Sequence, residues 1–190
     1  MAMRRRNISI TYKRPIATLP AAITVRRRAG EPTQGVLTFD GHTIPVALGR
    51  GGLKANKREG DGTTPIGTFR PLRLWWRKDR HVRPKTSLPV RVIDRSDGWC
   101  EDPSNRRYNR PVRLAADSTA DRLMRADHLY DFIIEIDHNA RPRIAGRGSA
   151  VFVHLARPGF APTAGCIAMT RTSMLRLLAR LTRRTRIVVG

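Results

Sequence analysis

His154 and Cys166 are the residues whose types and placement best suit covalent chemistry in this chain. His154 stands near the end of an alternating run, 150–155. Val151, Val153 and Leu155 face one way there, Phe152 and His154 the other. Pro158-Gly159 and Pro162 then break any regular element, so the chain up to Cys166 reads as a loop that folds back. Such a loop is able to bring the imidazole to the thiol. A thiol is largely protonated at neutral pH, and the thiolate is the nucleophile. A neighbouring imidazole takes that proton and later returns it to a leaving amine. Gly165 has no side chain, so an acyl carbon can approach the backbone beside the sulfur. The amides around Gly165-Cys166 are then placed to face a developing oxyanion. The same pair also reads as a buried thiol and a satisfied imidazole, and spacing alone does not choose between the two.

His154 followed by Thr163-Ala164-Gly165-Cys166-Ile167 resembles the signature of the L,D-transpeptidase catalytic domain family (YkuD-like). Upstream segments agree in order: Ala47-Leu48-Gly49-Arg50-Gly51-Gly52, Glu59-Gly60-Asp61-Gly62-Thr63-Thr64-Pro65-Ile66-Gly67, Gly98-Trp99-Cys100-Glu101-Asp102-Pro103 and Tyr108-Asn109-Arg110. The resemblance covers residues 23–190 and selects the chemical reading of the pair. It implies a compact, mainly β domain of sandwich or barrel-like build, with one C-terminal helix and short helical turns.

It also implies a peptidoglycan cross-linking enzyme. Cys166 is the nucleophile that forms a thioester, and His154 is base and then acid. The Leu155 carbonyl orients the imidazole, Gly165 lies beside the sulfur, and donor and acceptor are both stem peptides. Trp99, Tyr108, Asn109, Arg147, Arg157 and Thr163 are the candidate substrate contacts. Trp99 and Tyr108 read equally as aromatics that line a cleft or pin a loop to the core. Two departures stand out. Thr163-Ala164 replace the Ser-His that many members carry before Gly-Cys, and Ala168 stands where many carry an arginine. A donor that still presents a carboxylate needs another cation, and Arg157 and Arg147 are the candidates. The alternatives are a hydrolase of the same fold, a carboxypeptidase or amidase trimming peptidoglycan, and a non-enzymatic basic protein that binds cell wall or nucleic acid. An activated thiol is expected to react with iodoacetamide below the pH at which an ordinary buried cysteine does.

Composition narrows the field. A chain of 190 residues suits one domain with a sizeable core. The 37 Lys and Arg against 15 Asp and Glu leave a net charge of +22, a field that attracts polyanions. These charges are scattered, with no nucleic-acid-binding motif, so no specific nucleic-acid partner is expected. Neither a metal nor an organic cofactor is expected: zinc-ligand spacings such as Cys-x-x-Cys are missing. A disulfide between Cys100 and Cys166 would consume the nucleophile, so both are expected as free thiols in a monomer. No apolar run reaches the ~20 residues that span a bilayer. Residues 1–22 read as a basic arm with no convincing signal peptide, because Pro20 interrupts their apolar stretch. The family resemblance nonetheless implies a periplasmic or cell-envelope location.

The positioning elements are mostly strands. Residues 23–25 open the domain. Residues 36–39 and 42–48 form a hairpin through Asp40-Gly41, a dipeptide suited to a type I′ turn. Residues 50–64 read as a flexible surface loop, 65–76 and 89–93 as strands, and 94–112 as loop. A short helix is expected over 118–125. A second hairpin is expected from 132–136 and 141–145 through His138-Asn139. Apolar Met174, Leu175, Leu177, Leu178 and Leu181 lie on one face of a helix over 172–181, and 187–189 closes as a strand.

Overall fold

A computed structural model of the chain describes residues 22–115 and 120–190. The strands are β1 Ile23–Arg28, β2 Glu31–Phe39, β3 His42–Ala47, β4 Leu53–Lys54, β5 Thr64–Pro65, β6 Gly67–Phe69, β7 Pro71–Trp76 and β8 Val90–Val92. They continue as β9 Asp97–Cys100, β10 Arg110–Arg113, β11 Asp121–Arg122, β12 Phe132–Ile136, β13 Phe152–Leu155, β14 Ile167–Met169 and β15 Ile187–Val189. One α-helix, α1 Arg171–Leu178, and one 3₁₀ turn, Pro158–Phe160, complete the described elements.

Ten strands form one sheet in the order β6-β15-β1-β2-β3-β14-β13-β12-β7-β8. Only Arg70 separates β6, at one edge, from β7, next to the other edge. That short connection draws the two ends together. Phe69 and Ile187 from one end therefore share a core with Leu74 and Trp76 from the other. The result is the mainly β, barrel-like build implied by the sequence. Val153 and Leu155 of β13 point into this core with Met174, Leu177, Leu178 and Leu181. Phe152 faces the opposite side, in a second cluster with Trp75, Trp99, Ile133 and Cys166. The alternation along β13 thus puts His154 and the core residues on different faces.

The first hairpin forms as expected. Phe39 pairs with His42, and Asp40 and Gly41 adopt φ values of 46° and 75°, the left-handed pair that matches strand twist. Helix α1 begins one residue earlier than its apolar pattern suggests. The Thr170 hydroxyl accepts the Ser173 amide and caps it. It ends at Leu178, where a tighter turn takes over. Leu175 is exposed rather than on the buried face.

Four expectations are corrected. Residues 120–125 hold the short strand β11, not a helix, because their backbone pairs with β9; 116–119 lie outside the described residues. The 94–112 segment is not all loop: β9 pairs with β10 and β11. Residues 141–145 form no strand. Asn139 ties the loop instead, accepting the Ile144 amide and donating to the Ile144 and Gly148 carbonyls. The partner of β12 is β13, reached after that loop. The 50–64 stretch is a tethered wall rather than a free loop: β4 pairs with β5, and Asp61 accepts from Lys57, Thr63 and two backbone amides. Of the expected N-terminal arm, residues 1–21 lie outside the described residues.

Candidate active site

Strands β13 and β14 run parallel, Val153 opposite Ile167 and His154 opposite Ala168. Cys166 immediately precedes β14, so the loop after β13 returns it to the neighbouring strand. Both His154 and Cys166 line one cleft of about 450 Å³.

The imidazole is fixed. Nδ1 of His154 lies 2.8 Å from the Leu155 carbonyl oxygen. A carbonyl only accepts, so Nδ1 carries the proton and Nε2 keeps its lone pair. Tyr130 packs edge-on against the ring at 5.4 Å, and its hydroxyl donates to Asp121 at 3.2 Å. Burial lowers the His154 pKa to about 4, against the raising effect of the Leu155 carbonyl.

The thiol is held from both sides. Cys166 Sγ donates to the Ala150 carbonyl at 3.2 Å and accepts from the Phe152 amide at 3.3 Å. Burial pushes its pKa up to about 12, and the Phe152 amide and Lys57 act the other way. Burial thus favours the neutral form of both groups, the thiol and the imidazole, in one cleft.

The backbone around the sulfur is shaped by two threonines. Thr163 Oγ1 donates to the Cys166 carbonyl at 2.7 Å and accepts the Gly165 amide at 3.1 Å. Thr64 Oγ1, from the Thr-Pro-x-Gly segment, accepts the Gly49 amide at 2.8 Å and donates to the same Cys166 carbonyl at 3.3 Å. That segment thus meets the cysteine directly. Gly165 has φ 137°, and a Cβ there would sit 2.8 Å from the Thr63 carbonyl oxygen. Only glycine lets the turn pack this closely.

Of the sequence candidates, Cys166, His154, Gly165, Thr163 and Arg157 line the cleft, and Leu155 contributes its carbonyl. Trp99, Tyr108 and Asn109 are buried behind it rather than in its wall. Trp99 Nε1 donates to Asn109 Oδ1 at 3.0 Å, and the same oxygen accepts the Ala150 amide at 3.2 Å. Asn109 Nδ2 reaches the His138 and Asn139 carbonyls, and Tyr108 donates to Glu59. This side-chain set holds the backbone that holds the thiol. Arg147 borders a separate surface pocket with Asn56 and Arg58.

Ala168 is buried in β14, between β13 and β3, and brings no charge to the cleft. Cations reach the cleft from Arg50, Lys57, Arg125 and Arg157 instead. Glu59, Glu101 and Asp121 oppose them. Glu101 keeps an exposed face, but partial desolvation at the cleft, with the negative charge of Asp121 and Glu59, raises its pKa to about 7. Burial also raises Asp121, partly offset by Arg125. Sequence reasoning missed these acids, Tyr130, Lys57 and Thr64 as site residues. Thr64, Glu59 and Glu101 were the legible ones, since each lies inside a segment that carries the family resemblance. Among the described residues no group of three or more His, Cys, Asp or Glu side chains is poised to hold a metal, and no helix is long and apolar enough to cross a membrane.

Several solved structures are similar to this chain. L,D-transpeptidase 1 of Mycobacterium tuberculosis is 16% identical, with 88% of this chain and 61% of that one covered and a TM-score of 0.39. L,D-transpeptidase 3 of the same organism, in complex with a faropenem-derived adduct, is 14% identical over 89% and 60%, with a TM-score of 0.41. An L,D-transpeptidase from Mycobacterium smegmatis is 13% identical over 90% and 59%, with a TM-score of 0.42. The chain thus spans about three fifths of their length. Comparison with curated proteins finds no match. The family YkuD, described as the L,D-transpeptidase catalytic domain, matches residues 30–189. With that match running through both β13 and the Cys166 turn, the chain belongs to the L,D-transpeptidase catalytic domain family.

Proposed function

We propose that this protein is a cysteine-dependent L,D-transpeptidase that cross-links peptidoglycan stem peptides in the cell envelope. The single observation that carries the reading is the shared cleft. A thiol and an imidazole with a free Nε2 open into it from adjacent parallel strands, beside a glycine-flanked backbone. In the reaction, the Cys166 thiol gives its proton to His154 as Sγ attacks the carbonyl of the diamino acid at stem position three. The Cys166 amide faces the oxygen that becomes negative, the Gly165 amide being taken up by Thr163 Oγ1. The C–N bond to the following D-residue breaks, and His154 returns the proton to the departing amine. The amine of a second stem then attacks the thioester, loses a proton to His154 and expels the thiolate, which recovers its proton.

Arg157, in the cleft wall, is the better placed of the two sequence candidates for the donor carboxylate. Arg157→Ala is expected to impair turnover more than Arg147→Ala. The deciding experiment is incubation with purified muropeptides followed by mass spectrometry, with Cys166→Ala as control. Cross-linked dimers formed only by the wild type support the proposal. Trimmed monomers without dimers identify a hydrolase, and no product from any stem peptide rejects the reading.

A further inference from the structure

Lys57 is a lysine in an unusual place. Its side chain is only 4% exposed, yet it lines the cleft that holds Cys166. Its stem lies against two glycines in left-handed conformations. A Cβ on Gly148, φ 94°, would come within 2.7 Å of Lys57 Cε. A Cβ on Gly165, φ 137°, would come within 3.1 Å of Lys57 Nζ. Gly148 precedes the Ser149-Ala150 segment that accepts the thiol's hydrogen bond, and Gly165 precedes the thiol itself. Both walls beside Cys166 are therefore bare where this ammonium arrives. A lysine is rarely buried unless paired, and the partner here is Asp61 Oδ1 at 3.0 Å. Asp61 is in turn fixed by the Arg58 and Thr63 amides and the Thr63 hydroxyl. These hydrogen bonds outweigh its burial and hold its carboxyl well below the usual range. The 57–63 turn thus delivers one fixed positive charge to the cleft.

The position of that charge has a purpose the motif residues do not supply. The His154 ring, once protonated, adds a cation on one side only. The acids Glu59, Glu101 and Asp121 line the same cleft and disfavour negative charge at the sulfur, while Arg50, Arg125 and Arg157 favour it. Lys57 differs from those arginines in being buried and in abutting Gly165. A charge in a desolvated site acts more strongly than one at the surface.

We propose that the Lys57 ammonium, held by Asp61 and admitted by Gly148 and Gly165, stabilises the negative charge that forms on Cys166 Sγ and on the acyl oxygen beside it. Asp61 acts as a positioning residue that also tempers this charge. The inference rests on the reading of Cys166 as nucleophile, and its test reads the thiol without any peptide substrate.

The test is the rate of iodoacetamide alkylation of Cys166 at pH 8. It is followed by peptide mass spectrometry, so that Cys100 is counted separately. Lys57→Gln keeps an amide able to donate to Asp61 and removes the charge. Alkylation is expected to slow by about tenfold or more, one unit of thiol pKa being tenfold in thiolate. Asp61→Asn leaves the ammonium in place and removes its counter-charge, so alkylation is expected to quicken. A merely structural role for the pair would slow both variants, because both loosen the same turn. Circular dichroism and thermal unfolding report folding throughout. A folded Lys57→Gln protein alkylated at the wild-type rate, or an Asp61→Asn protein alkylated more slowly than wild type, overturns the proposal. If Lys57→Gln does not fold, the direction of the Asp61→Asn change decides. Failure of the muropeptide assay with these rates as expected would reject the proposed function and leave the electrostatic role of Lys57 standing.

Discussion

At the scale of the residue, burial favours the uncharged form of both His154 and Cys166. With His154 near 4 and Cys166 near 12, both stay neutral through the physiological range. Under the proposed function, proton transfer belongs to the moment of attack, when a bound acyl group accepts the sulfur electrons. Cys166→Ala is expected to abolish turnover with the fold intact, while Cys100→Ala, buried outside the cleft wall, keeps most of it. The reverse pattern in a stem-peptide assay would overturn the assignment. His154→Ala is expected to lose on the order of 10²–10⁴-fold in turnover, the usual contribution of a placed general base. Glu101 gives a pH-dependent prediction. Its raised pKa of about 7 means that it is neutral below that pH and anionic above it. The anion opposes thiolate formation at Cys166. Glu101→Gln should therefore speed iodoacetamide alkylation above pH 7 and change little near pH 5. Equal effects at both pH values would exclude a charge-based cause.

At the scale of the element, the cysteine depends on a segment that is neither helix nor strand. Residues 149–151 hold the thiol through the Ala150 carbonyl, and Asn109 holds Ala150. Asn109 itself has φ 51°, a conformation that asparagine tolerates better than most residues. Asn109→Ala removes the acceptor shared by Trp99 Nε1 and the Ala150 amide, and the donor to two carbonyls. A buried group left unpaired costs about 1–3 kcal/mol. The variant is expected to lose at least that much stability in urea unfolding and to turn over stem peptides more slowly. A fully active variant of unchanged stability would show that water or a neighbour replaces the amide. The elements themselves were unevenly legible. The Asp40-Gly41 hairpin and the amphipathic helix were readable, because turn chemistry and 3.6-residue spacing are local. The 141–145 segment was not, because Asn139 ties the loop through contacts that no local pattern announces.

At the scale of the whole molecule, the net charge of +22 has a thermodynamic consequence independent of the cleft. Binding to a polyanion such as heparin is expected to weaken by about tenfold or more between about 0.05 and 0.2 M NaCl, as counterion release requires. It should show no preference among DNA sequences. Salt-independent binding, measured by titration, would point to a specific site instead. The sequence by itself determined the family, the His154 and Cys166 pair, and the mainly β character. These reside in contiguous motifs and in alternation, which the chain carries whatever its neighbours are. Only the tertiary structure decided which other side chains share the cleft. Thr64 meets the Cys166 carbonyl across 102 residues, and Lys57 reaches Gly165 from a stretch that reads as surface loop. Trp99, Tyr108 and Asn109 pack behind the site although they lie in loop-like sequence. Closing the long sheet through Arg70 brings distant segments together, and burial then fixes whether a polar side chain contacts a ligand or holds the backbone that does.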